Sequence, residues 1–92
     1  MEIQQSDNGK KGKFFVALGE RVVAEMTYVW SGENRITINH TLVSPQMQNQ
    51  QVGKKLVHAA VKFAEQHQLK ITPLCSFAAS VFDSTPEYRG VL

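Results

Sequence analysis

The sequence predicts a mixed α/β domain, and the spacing of its apolar residues is what predicts it. Up to Val43 the apolar positions recur every second residue between turn-rich breaks, the pattern of an antiparallel meander. From Val52 they recur at three and four residues, the mark of one long helix laid on a sheet face. A short apolar run, Leu69 to Leu74, follows that helix and predicts a fifth strand. Strand–helix–strand crossovers join parallel neighbours, so this strand should run parallel to the fourth.

Taken in order, Glu2 to Gln5 predicts a short strand, and Ser6 to Gly12 has the composition of a turn. Phe14 to Leu18 reads as a strand. Gly19-Glu20 is short enough for a hairpin connection, and Arg21 to Trp30 follows with Val22, Ala24, Met26, Tyr28 and Trp30 at period two. After the Ser31 to Asn34 turn, Arg35 to Val43 predicts a fourth strand with Ile36, Ile38, His40 and Leu42 on one face and Thr37, Asn39 and Thr41 on the other. Ser44-Pro45 ends it, because proline restrains its predecessor and cannot donate to a ladder. Gln46 to Gln51 reads as a polar loop. Val52, Leu56, Ala59, Ala60, Phe63 and Ala64 then mark an amphipathic helix of about 16 residues. Pro73 places the end of the fifth strand at an edge or in irregular structure. Short helices are predicted from Ser76, as N-cap, and from Thr85, with Pro86 at the first helical position.

Ninety-two residues, 42% hydrophobic and 20% charged, make a single domain spanning 1–92. A chain of this length buries roughly 60–65% of its unfolded surface, so its stability is modest and a homodimer would add to it. The net charge of +2 is scattered, which argues against nucleic acid as a partner. Cys75 is the only cysteine; no internal disulfide is available, and a thiol that stays reduced points to the cytoplasm. Met1 to Gly12 is polar and no run of apolar residues reaches membrane-spanning length, so neither a targeting segment nor a membrane is expected. One cysteine and three dispersed histidines do not have the spacing of a metal site.

The most informative local pattern is the junction between the fourth strand and the helix. A helix start is an anion site, because its first N–H groups lack internal partners and its dipole favours negative charge. Here the junction reads Gln48-Asn49-Gln50-Gln51-Val52-Gly53, followed by Lys54-Lys55-Leu56. It resembles the pyrophosphate loop of the GNAT N-acetyltransferases, in which Gln or Arg is followed after two residues by Gly and, one residue later, by Gly or Ala. Gln48 and Gly53 match, and Gln51 stands in place of the intermediate glycine. Read without the resemblance, the same stretch is a polar connection with a glycine at a helix start. Together with Ile36 to Val43 before the loop and Ile71 to Phe77 after the helix, it looks like the very small GNAT proteins that keep the central acetyl-CoA-binding portion, over about Ala24 to Tyr88.

The resemblance implies a minimal GNAT-like fold and an acetyl-CoA-dependent N-acetyltransferase acting on an amine. In that family the fourth and fifth strands splay and the pantetheine arm lies between them as an added strand would. Carried onto this chain, Leu42 and Val43 face the pantetheine amides, and Gln48 with the N–H groups of Gln50, Gln51, Val52, Gly53 and Lys54 holds the pyrophosphate. Lys54 and Lys55 either add charge there or are simply solvated. Acyl transfer needs a nucleophile, a route for its proton and stabilisation of an oxyanion. Cys75, the only thiol, at the end of the fifth strand, is the candidate nucleophile, and His40 the candidate base; relatives carry both. The other readings stay open: a small buried hydrophobe for Cys75, a hydrogen-bonded packing residue for His40. His58 and His67 should face solvent, and Tyr88 should pack. A CoA-binding or acyl-sensing module with little catalysis is the alternative function, and an interaction domain that kept only the fold is a third.

Overall fold

The computed structural model describes residues 2–92. Five strands form one sheet in the order β1-β2-β3-β4-β5: β1 Gln4–Asp7, β2 Lys11–Leu18, β3 Arg21–Gly32, β4 Arg35–Val43 and β5 Lys70–Pro73. The first four run antiparallel and β5 runs parallel to β4. Helix α1, Val52–His67, makes the crossover, and α2, Ser76–Asp83, follows β5. Two 3₁₀ segments complete the chain, Pro45–Gln50 before α1 and Pro86–Val91 at the end. The element order and the extents of β4 and α1 agree with the sequence reading. The stretch read as a polar loop, Gln46 to Gln51, is instead wound mostly into the first 3₁₀ segment, which Pro45 initiates.

The first hairpin is tighter than composition predicts: β1 runs on to Asp7 instead of ending at Gln5, and β2 starts at Lys11 instead of Phe14. Gln4 to Asp7 is exposed throughout, so apolar alternation cannot locate it. Its turn is set by local polar bonds: Asp7 Oδ1 accepts the Gly9 N–H at 2.7 Å, and Asn8 Oδ1 accepts those of Lys10 and Lys11 at 2.9 Å. Gly9 takes φ 90°, a value that suits glycine. β2 therefore begins at Lys11, with Gly12 opposite Tyr28. A Cβ on Gly12 would come within 2.5 Å of the Tyr28 hydroxyl, so this position has no space for a side chain.

One face of the sheet is buried under α1. Phe14, Val16, Met26, Tyr28, Ile36, Ile38 and Ile71 meet Val52, Leu56, Val57, Ala60, Val61 and Ala64, all of them buried. Small residues at 60 and 64 let the helix approach closely, and larger ones on the strands fill the space. At the β1 end of this layer the polar tip of Tyr28 is satisfied: its hydroxyl donates to Asp7 Oδ2 and accepts from Gln5 Nε2 at 2.9 Å. Trp30 Nε1 donates to the same Asp7 oxygen at 2.9 Å.

The predicted alternation along β4 breaks in its middle. Tyr28 lies opposite Ile38 but Thr27 lies opposite His40, so Asn39 is an extra residue in the strand. A bulge inverts which side chains face the core. Ile36 and Ile38 are buried before it, whereas after it Thr41 and Val43 turn inward and His40 and Leu42 are exposed. His40 and Leu42 thus do not share a face with Ile36 and Ile38, contrary to the uniform period-two reading.

The hydrogen bonds around Asp7 make stability pH-dependent at both extremes. Partial burial by itself would raise the Asp7 carboxyl, but bonds from Tyr28, the Gly9 N–H and Trp30 outweigh it and hold it below its ordinary value. A depressed carboxylate contributes stability that is present above its unfolded pKa and lost as pH falls through the folded one. The stability gap between wild type and Asp7→Asn, measured by urea unfolding, should therefore narrow on acidification below about pH 4. Burial and the bond to Asp7 push the Tyr28 phenol far up, and burial with the nearby Glu87 charge raises Tyr88. Native-state phenolate absorbance should accordingly stay low at about pH 10, where free tyrosine is half ionised.

Candidate functional site

The bulge and the end of β5 together make an opening in the sheet. β5 pairs with β4 only from Arg35↔Lys70 to Ile38↔Pro73. The Leu74 and Cys75 N–H groups then both converge on the Ile38 carbonyl, at 2.9 and 3.0 Å, and the chain turns away into α2. β4 continues to Val43 without a neighbour on that side. The Ser44 N–H donates to Val23 O, which makes Val23–Ser44 a hydrogen-bonded pair and Ala24–Val43 a non-bonded one. By the same alternation the main-chain groups of Leu42 pair with Glu25, and those of Thr41 and Val43 point into the opening. Gln48 Nε2 lies 3.4 Å from the Val43 carbonyl, across that gap.

The other wall is the start of α1. Val52, Gly53 and Lys54 offer the first helical N–H groups, whereas the Lys55 N–H is already taken by the Gln51 carbonyl at 3.1 Å. Gln51 gives them no side-chain cap, and the first turn holds no acidic residue. Gln51 itself has φ 57° and ψ 32°, the left-handed conformation that glycine adopts at least cost. The backbone shape of a glycine is thus kept at this position with a side chain on it. Gly53 is buried against the Phe77 ring, whose Cζ would lie 2.6 Å from an added Cβ. Between Thr41–Val43 and the Gln51–Lys54 turn, with Phe77 on a third side, lies a cleft of about 560 Å³.

Of the residues the sequence singled out, Leu42, Val43, Gln48, Gln51, Val52, Gly53 and Lys54 line this cleft. Gln50 is exposed on the 3₁₀ segment outside the lining. Cys75 is half-buried at the N-cap of α2, packed against the core, with its Sγ 3.3 Å from Thr41 Oγ1. His40 stands on the opposite face of the sheet, paired with Thr27, so the fold does not bring Cys75 and His40 side by side. His58 is exposed, as expected, and its Nδ1 lies 2.9 Å from the Tyr88 hydroxyl; Tyr88 packs on Phe82. Thr41 and Phe77 escape sequence reasoning. Thr41 reads as outward-facing until the bulge is known, and nothing but Gly53, an unusually small residue on a buried helix face, hints at a bulky neighbour there. Among the described residues no cluster of His, Cys, Asp and Glu could hold a metal ion, and no helix is long and apolar enough to cross a membrane.

A sheet split beside a helix start whose first N–H groups have no partner among the described residues has counterparts among known proteins. The family profile of the GCN5-related N-acetyltransferases matches residues 13–91. The chain belongs to that family. Among solved structures it is similar to a GCN5-like candidate N-acetyltransferase from Staphylococcus aureus, with 40% identity and a TM-score of 0.79, covering 98% of this chain and 85% of that one. An aminoglycoside acetyltransferase from an uncultured soil metagenomic sample shares the fold at 20% identity and a TM-score of 0.64, over 86% of this chain and 59% of that one. No curated protein sequence matches. The chemistry of that family is acyl transfer; the cleft itself has an exposed strand edge on one side and an anion-favouring helix start on the other.

The helix start yields a prediction of sign as well as size. Gln51→Gly removes a Cβ from a left-handed residue and should raise stability by up to about 1 kcal/mol in urea unfolding, after the entropy glycine adds to the unfolded chain is allowed for. Gly53→Ala should do the reverse, lowering stability by roughly 1–3 kcal/mol as the Phe77 ring is pushed out.

Proposed function

We propose that residues 1–92 act as one acetyl-CoA-binding domain that transfers the acetyl group to an amine. The observation that carries this reading is the meeting of two sets of main-chain groups at one cleft, a strand edge that β5 has left and a helix start, with only the Gln48 side chain reaching the Val43 carbonyl. Thr41 and Val43 present N–H and C=O groups along β4, suited to the two amides of a pantetheine arm. The Val52, Gly53 and Lys54 N–H groups present donors at a positive helix end, suited to a pyrophosphate. Gln48 and Lys54 add a side-chain donor and a charge at the same place. Phe77 supplies an apolar side. Acetyl-CoA, when bound, brings an acyl thioester whose carbonyl carbon is open to attack.

The two candidate side chains would act on this site from opposite faces of the sheet. Cys75, on the helix side, has the Thr41 hydroxyl as a hydrogen-bond partner. It would accept the acyl group if transfer runs through the protein, with the thiol proton passing to the departing sulfur. His40, on the open side and two residues beyond the carbonyl where β5 leaves β4, would take a proton from an amine arriving from solvent. The direct route therefore needs His40, and the covalent route needs Cys75. The free, half-buried thiol suits a reducing compartment, the cytoplasm.

Intact-protein mass spectrometry after incubation with acetyl-CoA, beside thermal unfolding with and without CoA and a thiol-release assay with amines, tests the reading. Saturating CoA should stabilise the protein by roughly 2–3 kcal/mol, at about 100 times its Kd. An acetyl adduct absent from Cys75→Ala marks the covalent route; turnover without adduct that falls in His40→Ala marks the direct one. Stabilisation without any turnover would identify a CoA-binding module, and no stabilisation would overturn the reading altogether.

A further inference from the structure

A second concave site lies at the other end of α1 and has no part in the acyl-transfer reading. Gly53 and His67 are at opposite ends of the helix, so at about 1.5 Å per residue the two sites are roughly 20 Å apart. This groove, about 470 Å³, is lined by Gln5 and Asp7 on β1, Trp30 on β3, and Phe63 and His67 on the last turns of α1. The Trp30 and Phe63 rings stand 6.3 Å apart with their planes at 72°, which makes a corner rather than a stack. His67 extends that wall, its ring 4.8 Å from Phe63. Trp30 and Phe63 are only half-buried and His67 is exposed, so aromatic surface remains open to solvent.

The lining of this corner includes a carboxylate, Asp7, that is held in place by hydrogen bonds. Asp7 Oδ2 is occupied by the Tyr28 hydroxyl and Trp30 Nε1, whereas among the described residues Oδ1 accepts only the Gly9 N–H. A carboxylate has about four acceptor sites, so one remains on the open oxygen. No cationic side chain lies within salt-bridge distance of Asp7 among the described residues. Rings at a corner with an unpaired carboxylate are complementary to a cation: the ring faces attract it through their quadrupoles, tryptophan most strongly. They offer few hydrogen-bond acceptors, which favours a cation that is large and weakly hydrated. An anion would be repelled by Asp7, and a neutral molecule of the same shape would gain only from burial.

We propose that this groove binds an alkylated ammonium group, with Asp7 as its counter-charge and Trp30 and Phe63 as its walls. Trp30 is the only tryptophan, so its indole N–H gives a single resonance that reports directly on the site. Choline should shift that resonance saturably at constant ionic strength, and 3,3-dimethyl-1-butanol, its neutral isostere, should not. Phe63→Leu should weaken choline binding about fivefold, the scale of one cation–π contact, and Asp7→Asn at least as much. His67→Ala, at an exposed position, should weaken it less. An unsaturating shift, equal response to the neutral isostere, or unchanged affinity in Phe63→Leu or in folded Asp7→Asn overturns the proposal. None of these outcomes depends on whether CoA binds at the other end of the helix.

Discussion

The Ile38 carbonyl is where the architecture of this protein is decided. It accepts the N–H groups of both Leu74 and Cys75, so the parallel ladder ends on a single oxygen and the chain must leave the sheet there. Since β4 runs on to Val43, the departure of β5 leaves a stretch of strand edge with no neighbour. An exposed edge is ordinarily a hazard, a template for unwanted pairing. Here it is short, flanked by the Pro45–Gln50 segment and by α2, and turned toward a helix start. Pro73 protects the other side: residues 70 and 74 donate toward β4, so the missing proline N–H faces outward, where no further strand can add. The same few residues therefore close one edge and open another.

The Asn39 bulge gives the opening two different faces. Without the extra residue Thr41 would point away from the helix and Cys75 would lose its hydroxyl partner, while His40 would be buried beside Ile38. With it, a thiol lies on the covered face and an imidazole on the bare one, at neighbouring points along one strand. An acyl donor and an acceptor that approach a sheet from its two sides would each meet one of them. That Cys75 and His40 face opposite sides of the sheet is a consequence of strand parity.

α1 ties this region to the rest of the molecule. Its first turn borders the cleft, its middle fills the core with Leu56, Val57, Ala60 and Val61, and its last turn carries Phe63 and His67 into the aromatic corner around Trp30. Both ends are marked by left-handed glutamines, Gln51 at φ 57° and Gln68 at φ 55°. At the C-terminal end the strain is offset by hydrogen bonds, since the N–H groups of Gln68 and Leu69 both reach the Ala64 carbonyl. At the N-terminal end the corresponding N–H groups have no partner among the described residues.

The sequence by itself determined the element order, the helix and its buried stripe, the polarity of the fifth strand, and the loop whose Gln48 and Gly53 mark the helix start. These follow from periodicity and local backbone chemistry, which act over a few residues and are written wherever apolar side chains repeat. Only the tertiary structure decided which residues share the cleft. The bulge is absent from the pattern because Asn39 and His40 are both polar and either could be the unpaired one; the choice depends on the partner strand, where Thr27 Oγ1 holds Asn39 at 2.6 Å. Phe77 reaches Gly53 across 24 residues of chain, and Asp7 reaches Trp30 across 23, contacts that no local rule encodes. Register and long-range packing are properties of pairs of elements, and a single strand or helix read alone carries only half of each pair.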